Sequence, residues 1–201
     1  MGRIRKLIGE KCYLSPMTID DAEIYAHWLN DMEVVRFLSM AAGVINTENE
    51  RKLLEELSNN HNYGIVTLEN DKLIGTCGFI NMDNINRNAE IGIFIGDKAY
   101  WHQGYGFDAM ALLMDYGFRY LNLHNIFLQV YSFNENAINC YRKLGFKEIG
   151  RRRQSVYRER IFHDTVFMDI LSDDYYQLQN VFKATDDSSV RRRINQIHEK
   201  I

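Results

Sequence analysis

The stretch that most constrains this chain runs from Ala89 to Ala109. Ala89, Ile91, Ile93 and Ile95 alternate with Glu90, Gly92 and Phe94, and a two-residue period rich in β-branched side chains marks a strand. From Gly104 the period changes. Phe107, Met110, Ala111, Met114, Phe118 and Leu121 recur at spacings of three and four, which is one face of a helix. Between the two lies Trp101-His102-Gln103-Gly104-Tyr105-Gly106, where two glycines let the backbone turn tightly and leave the first amide N–H groups of the helix clear of side chains. Those donors, with the positive end of the helix dipole, favour a phosphate. Taken alone, such a pair is more often only a tight connection. The loop also lacks both Gly-x-x-x-x-Gly-Lys-Ser/Thr and the third glycine of a dinucleotide fingerprint.

The flanking sequence supplies the rest of a sheet. Residues 11–16 read as a short strand ended by Pro16, the only proline. Thr18 caps a helix with Asp20 and Asp21 in its first turn and Ala22, Tyr25, Ala26 and Leu29 at helical spacing. A second helix starts at Thr47, with Glu50 as its capping-box partner and Leu53, Leu54 and Leu57 as its stripe. Residues 63–69, 72–81 and 87–95 read as successive strands, the first two joined by a tight Asn70-Asp71 turn. After the central helix, Ile126, Leu128 and Val130 mark a strand over 125–131, which a right-handed crossover would lay parallel to the strand ending at Ile95. Asn134 caps a helix carrying Ala137, Ile138, Tyr141 and Leu144. Gly145 ends it as a left-handed cap, with Phe146 folding back on Tyr141. Residues 147–157 and 161–171 form a closing hairpin. The expected fold is α/β of the α+β kind: a mixed, mostly antiparallel sheet of six to seven strands with helices on both faces.

Residues 1–171 are expected to form this domain, and 172–201 a C-terminal helical extension. Ser172 opens a helix with Tyr175, Leu178 and Phe182, and Val190, Ile194, Ile197 and Ile201 follow at spacings of four, three and four. That terminal stripe either packs on its own domain or forms the contact of a homodimer. Apolar residues at 46% and charged residues at 25% are those of an ordinary globular protein, and no apolar run approaches the length of a membrane span. The start carries no apolar signal core, so a cytoplasmic protein without membrane partners is expected. Cys12, Cys77 and Cys140 are odd in number and widely separated, which fits reduced thiols and predicts no metal site. A net charge of -3 gives no footprint for nucleic acid, and the runs Arg151–Arg153 and Arg191–Arg193 read as solvated surface.

Two motifs stand in order: Trp101-His-Gln-Gly-Tyr-Gly106 at a strand-to-helix turn, and Asn134-Glu-Asn-Ala-Ile-Asn-Cys-Tyr-Arg-Lys-Leu-Gly-Phe146 on the next helix. Together they resemble the GCN5-related N-acetyltransferase (GNAT) superfamily over about residues 12–171. Within it Met114-Asp-Tyr-Gly-Phe118 with Leu121-Asn-Leu123 and Tyr141-Arg-Lys-Leu-Gly-Phe146 looks most like the branch of ribosomal-protein N-terminal and bacterial spermidine acetyltransferases. The resemblance implies the acyl-CoA N-acyltransferase fold and transfer of acetyl from acetyl-CoA, as co-substrate, to an amine. It places Trp101, His102, Gln103, Gly104, Tyr105 and Gly106 on the pyrophosphate loop, with Trp101 standing where the family usually has Gln or Arg. It places Ile93, Phe94 and Ile95 on the splayed strand that pairs with the pantetheine arm, lets Asn134 reach the cofactor, and aligns Tyr141 with the tyrosine facing the CoA sulfur.

The residue types agree with that chemistry. An amine attacking a thioester builds charge on the carbonyl oxygen, which a main-chain N–H near Phe94 would stabilise. The leaving thiolate needs a proton, and the Tyr141 phenol can supply one. Glu90 is the candidate base, acting through a water; a structural partnership with Arg87 or a hairpin lysine is an equal alternative. His102, His124 and His163 are weaker candidates and read as surface. Cys140 reads as core, so direct attack in a ternary complex is expected rather than an acyl-cysteine. Residues 18–60 hold nine acidic side chains against three basic ones. That excess either draws a cationic acceptor, such as a polyamine or a peptide N-terminus, or merely solvates two helices. The expected function is acetyl-CoA-dependent N-acetylation of a primary amine; the alternative is a non-catalytic CoA-binding sensor.

Overall fold

The computed structural model describes residues 2–39, 41, 43–58 and 60–184. The stripe from Val190 to Ile201 and the run Arg191–Arg193 lie outside the described residues. The chain divides into two compact units, Met1–Leu123 and His124–Ile201.

In the first unit, β1 (Leu7–Ile8) and β2 (Cys12–Pro16) lead through a 3-10 turn (Ile19–Asp21) into α1 (Ala22–Leu29), α2 (Met32–Val35) and α3 (Thr47–Ser58). Then come β3 (Asn62–Thr67), β4 (Leu73–Asp83), β5 (Asn88–Ile95) and α4 (Tyr105–Arg119). The five strands pair in chain order, each antiparallel to the next, with Tyr13 opposite Val66 and Cys77 opposite Ile93. Alternation along the strands divides the side chains between two faces. Tyr13 and Val66 join Tyr25, Trp28 and Leu54 in a buried cluster under α1 and α3. On the other face α4 packs against β2, β4 and β5, burying Ala109, Met110, Leu113, Met114 and Phe118. Each of the larger apolar chains so buried contributes about 1.5–3 kcal/mol.

The second unit holds β6 (Asn125–Tyr131), α5 (Glu135–Lys143), β7 (Lys147–Arg158), β8 (Ile161–Leu171) and α6 (Ser172–Ala184). Strand β8 runs antiparallel to β6 on one side and β7 on the other. Ile126, Leu128 and Val130 pair with Ile170, Met168 and Val166, and all six are buried. Helix α5 closes as expected: Gly145 takes φ 97, the Phe146 N–H reaches the Tyr141 carbonyl at 3.0 Å, and the two rings lie 6.0 Å apart. A Cβ on Gly145 would lie 2.4 Å from Leu178 Cδ1, so this turn both requires a left-handed residue and seats α6. Tyr175, 5% exposed, is buried with it, and the opening of the extension therefore packs on its own unit. Strand β7 ends the sheet order, is interrupted by bulges between Glu148 and Gly150 and between Arg152 and Val156, and carries the exposed Arg151–Arg153 run.

The described strands number eight, not six to seven, because β1 is two residues long and too short for any alternation to show. Helix α2 was likewise invisible to periodicity; the Asp31 carboxylate caps it by accepting from the Glu33 N–H at 2.9 Å. The expected Thr47–Glu50 capping box is replaced by Asn46, whose side chain accepts from the Asn49 N–H at 2.8 Å. Glu50 is instead buried, and burial raises its carboxyl pKa. Among the described residues, no helix is long and apolar enough to cross a membrane, and no group of three or more His, Cys, Asp or Glu side chains could hold a metal ion.

Candidate active site

The candidate site lies around the end of β5 and the start of α4. Ile93, Phe94 and Ile95 are half-buried. The Phe94 ring meets Tyr25 and Trp28 edge-on, at 6.3 and 6.5 Å, on the α1 side of the sheet. Ile93 faces the other way, its Cδ1 lying 3.9 Å from where a Cβ on Gly106 would stand. Glu90 shares the face of Phe94 by strand alternation, half-buried and opposite Ile80. Its suggested partner Arg87 donates to Asn122, at 2.8 Å to the carbonyl and 3.0 Å to the side chain.

The connecting turn is braced from within. Asp97 accepts from the Ala99 N–H at 3.0 Å, and the Trp101 indole N–H donates to the Ile95 carbonyl at 2.8 Å. Trp101 therefore holds the turn to the strand end while its ring packs on the core cluster. The Gln103 side chain donates back to the Ala99 carbonyl at 2.5 Å, whereas His102 is exposed with φ 59. Gly104 then adopts φ 84 and no side chain caps the helix. The α4 ladder begins with the Asp108 N–H donating to the Gly104 carbonyl at 3.0 Å, so the amides of Tyr105, Gly106 and Phe107 stand ahead of it. Gly104 and Gly106 leave that mouth uncovered: the nearest atoms to a Cβ built there are Lys11 Cε at 3.5 Å and Ile93 Cδ1 at 3.9 Å. An anion fits such an end.

Sequence reasoning missed Asp108. Its carboxylate accepts from the main-chain N–H groups of Glu10, Lys11 and Cys12 at 3.1, 2.9 and 3.0 Å, tying the start of β2 to the first turn of α4. An acid in a first helical turn is a local signal, but its partners lie 96 to 98 residues away. Burial, with Asp108 adding, keeps the Cys12 thiol protonated.

On the α1 side an open cavity of about 1050 Å³ is lined by Asp20, Asp21, Glu23, His27 and Asp31 among others. Two of these acids are already paired: Arg3 forks onto Asp21, and Lys98 reaches Asp31 at 2.8 Å. Asp20 and Glu23 are exposed.

In the second unit the Asn134 side-chain oxygen caps α5, accepting from the Ala137 N–H at 3.3 Å. Tyr141 is half-buried, and burial, with Cys140 adding, pushes its phenol well above the ordinary value. Cys140 is itself raised to about 11 by burial, so at neutral pH it is a thiol and a poor nucleophile. His124 bonds Ser172 Oγ at 3.0 Å, and His163 packs on Phe133 with ring centroids 4.5 Å apart.

A two-faced antiparallel sheet whose central helix opens on uncapped amides defines an α/β domain with a helix mouth suited to an anion. The chain belongs to the acetyltransferase (GNAT) domain family, whose model matches residues 11–147, and is an acetyltransferase. An uncharacterised N-acetyltransferase of Bacillus licheniformis is 29% identical over 174 residues, spanning 84% of this chain and 97% of that protein. A spermidine N(1)-acetyltransferase of Vibrio cholerae is 35% identical over 131 residues, 61% of this chain and 73% of that one. The solved structure of a Vibrio cholerae spermidine N-acetyltransferase in complex with CoA and spermine shares the fold, with a TM-score of 0.74 at 23% identity over 82% of this chain and 98% of the other.

Proposed function

We propose that this enzyme transfers acetyl from acetyl-CoA to a small cationic primary amine, by direct attack, in the cytoplasm. The observation that carries the reading is the helix mouth at Gly104, where the amides of Tyr105 to Phe107 precede the α4 ladder beside the end of β5. Acetyl-CoA, once bound, supplies a thioester activated toward nitrogen. The residues of the turn from Trp101 to Gly106 would hold its diphosphate, and the main chain of Ile93 to Ile95 its pantetheine arm, with Asn134 as a further contact. An N–H near Phe94 would stabilise the developing oxyanion. Glu90 would relieve the incoming amine of its proton through a water, and Tyr141 would return one to the thiolate. Burial keeps Tyr141 protonated at neutral pH, the state a proton donor needs.

The acceptor class rests on the acidic cavity and on relatives named as spermidine acetyltransferases. A peptide N-terminus carries the same charge but a larger body. The deciding experiment measures thiol release from acetyl-CoA with spermidine, aminoglycosides and short peptides in parallel. Release with spermidine in preference to peptides supports the small-amine reading. Binding of acetyl-CoA without release for any amine would replace it with a sensor.

A further inference from the structure

Lys11 stands beside the helix mouth without belonging to the turn or to either recognised motif. Its stem crosses Gly104, with Cε 3.5 Å and Cδ 3.7 Å from the position of a Cβ on that glycine. Its ammonium lies over the Tyr105 ring, 5.6 Å from the centroid, and among the described residues that ring rather than a carboxylate is its partner. Tyr105 is buried and braced edge-on by Tyr100 at 5.3 Å, so the platform under the ammonium is firm. The backbone of Lys11 is pinned at both ends: its N–H donates to Asp108 at 2.9 Å, and its carbonyl accepts from the Leu68 N–H at 2.9 Å.

This arrangement settles an electrostatic conflict. Asp108 lies in the first turn of α4, where a free carboxylate would repel a phosphate from the same helix end. Its charge is instead met by three main-chain N–H groups of the β1–β2 turn, and the same bonds bring a lysine to the mouth. A weakly held cation on an exposed side chain swings from an aromatic face to a phosphate at little cost, because the cation–π contact is worth far less than a charge-assisted hydrogen bond.

We propose that Lys11 is a binding residue for the diphosphate of the cofactor and that Asp108 is the residue that positions it. The inference rests on the acetyl-CoA reading above and adds a contact from outside the glycine turn.

Calorimetric titration of the full chain with CoA and with CoA lacking its 3′-phosphate tests it, using Lys11→Met and Lys11→Arg. Lys11→Met should bind both ligands about tenfold more weakly, with a shallower dependence on salt, while Lys11→Arg retains most of the affinity. Melting temperature should be unchanged in both variants, which separates a ligand contact from a structural one. Unaltered affinity in Lys11→Met would overturn the proposal. So would a penalty seen with CoA but absent without the 3′-phosphate, since the contact would then be to that group. A parent protein that binds neither ligand would remove the cofactor reading itself, a result distinct from both.

Discussion

Replacing Asp108 probes how the two ends of the site are held together. Asp108→Ala removes the acceptor for three main-chain N–H groups. The Cys12 N–H belongs to a residue with no solvent exposure, so leaving it unpaired costs about 1–3 kcal/mol. Glu10 and Lys11 are exposed and can turn to water, and losing those two bonds costs about 0.5–1 kcal/mol each. The sum is about 2–5 kcal/mol, or roughly 4–20 °C in melting temperature for a chain of this size. Asp108→Asn discriminates further. Its remaining oxygen can take the place of Oδ2, which serves both Lys11 and Cys12, while its NH2 turns toward the exposed Glu10 N–H. The asparagine variant should therefore lose about half as much as the alanine variant. Thermal denaturation followed by circular dichroism reads both. If both variants melt within about 1 °C of the parent, the tie contributes nothing and the reasoning fails.

Tyr141→Phe keeps the contact with Phe146 and removes only the hydroxyl. Turnover should fall about 100-fold, as for loss of a general acid, with acetyl-CoA affinity unchanged; an unaltered rate would strip Tyr141 of its acid role. His61 is held below its ordinary 6.5 by burial, with Lys6 adding to the effect. Below that pH the unfolded chain binds more protons at this site than the folded one, so the histidine lowers stability as pH falls toward its folded pKa and has no such effect above 6.5. His61→Gln should then flatten the loss of melting temperature on acidification, and a slope identical to the parent's would contradict the sign.

The long elements were legible because each repeats a period enough times to be read. The alternation from Ala89 to Ile95 and the three-four spacing from Phe107 to Phe118 located β5 and α4, and Gly145 with Phe146 marked the end of α5. Elements shorter than one or two periods, β1 and α2, left no trace. The glycine turn was readable as a tight strand-to-helix connection because φ 84 at Gly104 is a local property of the chain. The bracing of that turn was not. Trp101 reads as a displaced ligand contact in a motif, yet its indole serves the carbonyl of Ile95. The Asp108 tie joins segments about a hundred residues apart, which no local pattern encodes. Glu50 had the right spacing for a capping box, but the helix begins one residue earlier in its bonding, at Asn46, and tertiary packing turned the carboxylate inward.

The outer margin of β7 has a consequence for self-association. A straight, uncharged margin would invite another chain to lie alongside and extend the ribbon without limit. Here two kinks, a left-handed Gln154 and three consecutive guanidinium groups spoil the row of main-chain groups that such an intruder would have to match. Strand-by-strand extension of the sheet through this rim is therefore disfavoured, and concentrated solutions should stay clear of stacked, fibrous aggregates nucleated there.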